Sequence, residues 1–140
     1  MRWRAGLSFK ALVVVACVAA CRGTTPGSSG VAPAAVDAGS VVVNGTHLFY
    51  QATGRGPAVI LLHSGDLDRR QWDPQFLSLA RGHRIVRYDA RGYGHSGPAN
   101  SPFRADEDLY AFLVALHIPR ASLIGSSLGG RTISGGRSGS

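Results

Sequence analysis

The sequence has little lysine: Lys10 is the only one among its 15 basic side chains, and the arginines are spread along the 140 residues without forming a run. A net charge of +7 and a pI near 10.4 would suit a nucleic-acid partner. However, no basic run alternates with aromatic residues to make a stacking platform. We therefore expect no nucleic-acid partner.

Long apolar runs are also lacking. Ala11–Ala20 is the apolar stretch at the N-terminus, and it follows the positive residues Arg2, Arg4 and Lys10. It is much shorter than the roughly 20 residues that a membrane-spanning helix needs. A positive start, a short apolar stretch and small residues before a cleavage point are typical of an export signal. The sequence predicts a signal peptide over residues 1–20.

Cysteine is scarce, with two residues at positions 17 and 21. Val18-Ala19-Ala20-Cys21 resembles the bacterial lipobox, in which the cysteine is acylated and becomes the new N-terminus. The resemblance implies an exported lipoprotein that is anchored in a membrane through lipid on Cys21. The alternative is cleavage at an ordinary signal-peptidase site, which gives a secreted or periplasmic protein. Either way Cys17 leaves with the signal peptide, so no disulfide is expected.

Residues 21–40 are rich in Gly, Ser, Pro and Ala and show no apolar periodicity, which predicts a flexible linker. The globular part is predicted to span residues 41–140. It opens with two strand-like segments, Val41–Val43 and Thr46–Gln51, around an Asn44-Gly45 turn whose residues tolerate positive φ. The pattern predicts a β-hairpin.

Strand and helix patterns then alternate along the chain. Ala58–Leu62 is a continuous apolar run typical of a strand that is buried on both faces. A helix is predicted over Gln71–Ala80, a strand over His83–Tyr88, a second helix over Ala105–Leu116 and a last strand over Ala121–Ile124. This order predicts an α/β domain with a mostly parallel sheet.

The last strand runs into Gly125-Ser126-Ser127-Leu128-Gly129, which matches the G-x-S-x-G pattern. A strand that turns sharply into a helix crowds its neighbours, so the flanking positions require glycine while the central hydroxyl projects freely. The start of the helix favours negative charge that develops beside it. The pattern predicts a catalytic nucleophile at Ser127 and an oxyanion-hole N–H at Leu128.

Three further segments resemble the α/β-hydrolase fold family and follow one another in the family's order. They are Leu61–Gly65, Arg87–Ser96 and the helix Asp108–Leu116. The resemblance covers roughly residues 41–131, and it is closest to the lactonase and esterase-like branch. It implies the N-terminal portion of an α/β-hydrolase fold, a small-molecule acyl substrate such as an ester or lactone, and no cofactor.

The same resemblance implies a second oxyanion N–H from Gly65. The chain has His63-Ser64-Gly65 where the family usually has His-Gly, so the Ser64 and Gly65 amides both stay open as candidates. The resemblance also implies that His63 orients this loop and that Asp89–Ser96 forms a structural turn. A metal site at His83, Asp89 and His95 is not expected, because their spacing fits no usual ligand pattern.

A serine nucleophile needs a histidine base and an acid that orients it, and in this fold both follow the serine in the chain. Residues 128–140 contain no Asp, Glu or His. We interpret the Ser-, Gly- and Arg-rich end as a frameshift or premature stop, which predicts poor folding of the isolated chain and doubtful activity. The rival hypothesis is a non-catalytic exported lipoprotein, or a remnant binding module, that keeps a hydrolase-like half domain.

Overall fold

A computed structural model describes residues 10–11 and 35–135 of the chain. Its strands form one sheet of six in the order β1-β6-β4-β5-β3-β2. The strands are β1 (Lys10–Ala11), β2 (Val36–Val43), β3 (Thr46–Thr53), β4 (Ala58–Leu62), β5 (Arg84–Tyr88) and β6 (Ala121–Gly125). The helices are a 3₁₀ turn (Arg69–Trp72), α1 (Asp73–Leu79), α2 (Ala105–Ala115) and α3 (Leu128–Ile133).

The predicted hairpin is present, and it is longer than expected. Asn44 and Gly45 have φ of 45° and 77°, as a two-residue turn between antiparallel strands requires. The first strand begins at Val36, where it pairs with Thr53. The predicted boundary of the linker at residue 40 is therefore wrong, because residues 36–40 pair with the second half of β3.

β4, β5 and β6 are parallel, as the sequence predicts, whereas β3 joins β5 in antiparallel orientation. Alternate residues of β4 face opposite sides of the sheet. Ile60 packs in the core on the side of α2, and Leu61 packs on the other side with Phe76 of α1. Both faces are therefore covered by helices, which explains why β4 is a continuous apolar run.

The predicted helix over residues 71–80 is shorter in the structure and has a different start. A 3₁₀ turn at Arg69–Trp72 comes first, and its N-cap Asp68 accepts a hydrogen bond from the Arg70 N–H at 2.8 Å. The α-helix follows with Pro74 in its first turn, where proline costs no hydrogen bond. The other predicted helix and the remaining strands end within one residue of their expected bounds.

A two-residue strand, β1, lies along the outer side of β6. Lys10 and Ala11 pair in parallel with Ser122 and Leu123. These two residues belong to the segment predicted as a signal peptide. The rest of that segment, Cys21 and residues 22–34 lie outside the described residues. Within the described part, no helix has the length and apolarity to cross a membrane.

Candidate active site

Ser127 lies at the sharp turn between β6 and α3. Its backbone has φ 48° and ψ −103°, a conformation that residues with a Cβ rarely adopt. Such strain costs of order 1–3 kcal/mol and persists only where the surrounding structure imposes it. Ser127 is therefore held in an unfavourable geometry at the point where the sequence predicts a nucleophile.

Two glycines allow this turn to form. A Cβ on Gly125 would lie 2.5 Å from the carbonyl carbon of Gly129, and a Cβ on Gly129 would lie 2.4 Å from the Leu62 carbonyl oxygen. Both contacts are with backbone atoms, which cannot rotate away. The two glycines flanking Ser127 in the pattern are therefore required by the close approach of α3 to β6 and β4.

Backbone hydrogen bonds fix the turn to the end of β4. The Ser126 N–H donates to the Leu62 carbonyl at 3.2 Å, and the Gly129 N–H donates to the His63 carbonyl at 3.1 Å. Leu128 is the first residue of α3, where N–H groups have no partner within the helix. Its amide is therefore available to a ligand that carries negative charge beside Ser127.

The loop after β4 contains the two candidates for the second oxyanion donor. The Ser64 N–H donates to the side-chain oxygen of Gln71 at 2.7 Å, so this amide is already engaged. Within residues 35–135 the Gly65 N–H donates no hydrogen bond. Asp66, which follows, has φ 64°, so the loop bends sharply immediately after Gly65.

His63 is bound at both ring nitrogens. Nδ1 lies 2.7 Å from the Ser64 carbonyl oxygen, and Nε2 lies 2.9 Å from the Ala90 N–H. Since Ala90 can only donate, Nε2 accepts and Nδ1 carries the proton. The ring is 2% exposed and packs edge-on against Tyr93. These contacts agree with the predicted structural role, because neither nitrogen is free to take a proton from Ser127.

A contact between two hydroxyl groups joins this loop to the turn. The Ser64 Oγ donates to the Ser126 Oγ at 3.0 Å. Sequence reasoning missed this contact. The available signal was Ser64 itself, which stands where the resemblance leads one to expect glycine.

Asp89 organises the turn that follows β5 and is fully buried. It accepts hydrogen bonds from the backbone and guanidinium of Arg69, at 2.8 and 2.7 Å, and from the His95 N–H at 2.9 Å. A Cβ on Gly94 would lie 2.2 Å from its carboxylate. Asp89 therefore has the structural role that the sequence predicts.

The arginine of this turn contacts a different acid. Arg91 makes a two-pronged pair with the carboxylate of Asp108 on α2, at 2.8 and 2.9 Å, and both side chains are buried. Asn44 donates to the same carboxylate at 2.9 Å. The pair therefore ties the hairpin turn, the turn after β5 and α2 together.

The structure separates the remaining candidates for a metal ligand or a base. His83 and Asp89 lie at opposite ends of β5, and no metal-binding group of three or more His, Cys, Asp or Glu occurs in the part of the chain that is described. His47 contacts the His95 carbonyl, and His117 lies near the amino ends of β4 and β6, whereas Ser127 follows the carboxyl end of β6. No described histidine is hydrogen-bonded to Ser127.

Tyr88 shares a small cavity with Leu128 and Gly129. Burial, with a further contribution from the negative charge of Asp108, raises the pKa of the Tyr88 phenol well above its usual range. The phenol therefore stays protonated near neutral pH and cannot act as a base there.

The family model for the alpha/beta hydrolase fold matches residues 57–134, more than half of the chain. Serine hydrolase BPHL of Homo sapiens is 39% identical over 106 residues, which are 69% of this chain and 36% of that protein. 3-Oxoadipate enol-lactonase 1 of Acinetobacter baylyi is 34% identical over 95 residues, or 66% and 33% of the two chains. The chain thus spans about a third of the length of these relatives.

Solved structures give the same result. The enol-lactonase from Burkholderia xenovorans has a TM-score of 0.64 at 35% identity, with 67% of this chain and 39% of that chain covered. Epoxide hydrolase VrEH1 from Vigna radiata has a TM-score of 0.66 at 28% identity, with 69% and 33% covered. The strained turn at Ser127, the sheet order and these matches agree, and the chain belongs to the α/β-hydrolase family.

Proposed function

We propose that this protein hydrolyses esters, lactones or related acyl compounds with Ser127 as the nucleophile. The observation that supports the proposal is the backbone of Ser127, which is strained at the start of α3 and flanked by glycines that cannot be replaced without a clash. Backbone strain of this kind concentrates at functional sites, where the surrounding structure holds it in place.

In the proposed reaction the Ser127 oxygen attacks the substrate carbonyl carbon, and the hydroxyl proton passes to a base. The negative charge on the carbonyl oxygen is then stabilised by the N–H groups of Leu128 and Gly65. The intermediate then collapses: the bond to the leaving oxygen breaks, this oxygen takes the proton back from the base, and an acyl group stays on Ser127. Water hydrolyses this acyl group and restores the serine hydroxyl. Engagement of the Ser64 amide by Gln71 favours Gly65 as the second donor.

Both the similar proteins and the chemistry of the site support this substrate class. Enol-lactonases from two organisms are similar to this chain at 34% and 35% identity, and a serine hydrolase is similar at 39%. An acyl carbonyl is also the group that a serine beside paired N–H donors can attack. The base and its acid have no candidates in residues 128–140, so we expect low turnover from the 140-residue chain by itself.

An acylation experiment with an added base tests this proposal. The chain is incubated with p-nitrophenyl acetate, with and without imidazole, and the acetyl adduct is located by peptide mass spectrometry. We expect an adduct on Ser127 that imidazole accelerates. Ser127→Ala should abolish it, whereas Ser134→Ala, at an exposed serine just after α3, should not. An adduct that forms equally in Ser127→Ala contradicts the proposal.

The second candidate function is a non-catalytic module, and it is favoured by His63, the histidine of the loop beside Ser127, whose two ring nitrogens are both engaged elsewhere. The same experiment separates the two candidates. If imidazole produces no adduct on Ser127 in folded protein, the site does not activate a carbonyl. This outcome would support the non-catalytic binding module.

We also propose that the chain is exported and acylated on Cys21. The supporting pattern is Val18-Ala19-Ala20-Cys21 after a positive start and a short apolar stretch. Metabolic labelling with a fatty acid should label the wild type and not Cys21→Ala. The variant should also leave the membrane fraction. If Cys21→Ala stays in that fraction, the anchor is not the lipid on this cysteine.

A further inference from the structure

The end of the sheet opposite Ser127 carries a cluster of basic side chains. Because β4, β5 and β6 are parallel, their amino ends lie side by side. We call this end of the sheet the amino edge. It is formed by the segments at residues 54–57, 81–84 and 117–121. These loops contribute four arginines and two histidines: Arg55, Arg81, Arg84, Arg120, His83 and His117. None of the three loops contains an Asp or Glu.

The arginines of the amino edge differ from those elsewhere in the domain. Five arginines, at positions 69, 70, 87, 91 and 104, form ion pairs with carboxylates. Within residues 35–135 the four arginines of the amino edge form no ion pair. Three of the four are exposed and Arg84 is half-buried. Their charge is therefore not neutralised by the described part of the protein.

An open cleft of about 670 Å³ lies at the amino edge. Arg84, His117 and Arg120 lie on its wall, and Ser122 adds a hydroxyl. The backbone of His117 has φ 54°, a left-handed conformation that turns the chain sharply between α2 and β6. The cleft therefore offers several hydrogen-bond donors with positive charge and no competing carboxylate, which is the chemistry that binds phosphate groups.

The chain enters the domain at this same edge. Val36 pairs with Thr53, and Thr53 pairs with Ile85, the residue after Arg84. The segment before residue 35 is therefore joined to the body beside the basic cluster. Ser127 lies beyond the other end of β6, whose five residues span about 16 Å.

From these observations we propose that the amino edge is a docking surface for a membrane that contains anionic phospholipid, and that it directs Ser127 away from that membrane. The partner is the layer of lipid phosphates. The fit is one of charge, since the three loops of the amino edge are positive, contain no acid and adjoin the upstream segment. The proposal does not depend on acylation of Cys21 or on catalysis, because both the charges and the cleft belong to the folded domain.

Vesicle sedimentation tests the proposal with the whole chain. Binding is measured to phosphatidylcholine vesicles and to vesicles that also contain about 30% phosphatidylglycerol, at low and high salt. A lipid anchor or an apolar leader binds both vesicles, so the ratio of the two affinities isolates the effect of charge. We expect a ratio well above one that falls at high salt.

Two double variants with the same loss of charge locate the surface. Arg84→Gln with Arg120→Gln removes two charges from the amino edge. Arg70→Gln with Arg131→Gln removes two charges from exposed positions elsewhere, on the 3₁₀ turn and on α3. Each arginine near an anionic surface changes partitioning by about fivefold. In the amino-edge variant the ratio of the two affinities should therefore fall at least about tenfold, and in the control variant it should fall much less.

Three results would overturn the proposal. One is equal binding of the wild type to both vesicles, and another is the same loss in both double variants, which would show that only net charge matters. The third comes from a duplex oligonucleotide that is added as a competitor. If the duplex releases the protein from the vesicles at a phosphate concentration below that of the anionic lipid, the surface recognises nucleic acid. Circular dichroism of both variants shows that the losses do not arise from unfolding.

Discussion

The two adjacent glycines of α3 should respond in opposite directions to the same substitution. A Cβ on Gly129 would lie 2.4 Å from the Leu62 carbonyl oxygen and 2.7 Å from the Leu62 Cβ. Relieving these contacts requires α3 to move away from β4, and overpacking of this kind typically costs about 1–3 kcal/mol. Gly129→Ala should therefore destabilise the contact between α3 and β4 by that amount.

Gly130→Ala is the matched control, because it adds the same methyl group one residue later. Its Cβ would have only the Gly125 carbonyl oxygen nearby, at 3.8 Å, which is an ordinary contact. Alanine is preferred to glycine within a helix by up to about 1 kcal/mol. Gly130→Ala should therefore leave the fold unchanged or make it slightly more stable.

Amide hydrogen exchange of β4 and β6 measures both effects and does not need the chain to unfold in one step. For Gly129→Ala we expect exchange in these strands that is about 5- to 150-fold faster, the equivalent of about 1–3 kcal/mol. Gly130→Ala should exchange at the wild-type rate or more slowly. The close approach of α3 to β4 is contradicted if Gly129→Ala does not accelerate exchange, or if both variants accelerate it equally.

Three further predictions concern ion pairs and strain. Asp108→Asn breaks the buried pair with Arg91 and should lower the free energy of unfolding, measured in urea, by about 3–5 kcal/mol. Glu107→Gln on the same helix is the control, because its pair with Arg104 is more exposed, and it should change the free energy of unfolding by less than about 0.5 kcal/mol. Ser127→Gly should be about 1 kcal/mol more stable than Ser127→Ala, because glycine relieves the positive φ and alanine does not; equal unfolding midpoints would contradict the strain. Hydrogen bonding to Arg70 lowers the pKa of Asp68 to about 2. The ionised Asp68 therefore stabilises the fold above pH about 4, and this contribution is lost as the pH falls from about 4 to 2. The contribution is below about 1 kcal/mol, because the Arg70 side chain of the pair is exposed. Stability measured against pH should show this loss in the wild type and not in Asp68→Asn.

The parts of the fold that local sequence determines could be predicted. The buried strand Ala58–Leu62 and the turn at Asn44-Gly45 are recognisable because apolar runs and positive-φ residues act within a few positions. The strained turn at Ser127 could also be predicted, since its two flanking glycines are a local requirement of the geometry.

Features that depend on distant partners could not be predicted. Residues 36–40 have the composition of a linker, and they form a strand only because the second half of β3 offers them a partner. The pair of Arg91 with Asp108 and the contact of Ser64 with Ser126 join residues 17 and 62 positions apart. The basic amino edge is another example, because its arginines are scattered in the sequence and the sheet brings them together.

The strained turn at Ser127 also has a consequence for when the proposed nucleophile forms. Its hydrogen bonds run to the end of β4, so the unfavourable backbone can form only after β4 and β6 have paired. Before that moment Ser127 is an ordinary serine in a relaxed chain. If the chain is exported unfolded, as proposed, the nucleophile proposed at Ser127 is absent during transit and forms only when the sheet assembles.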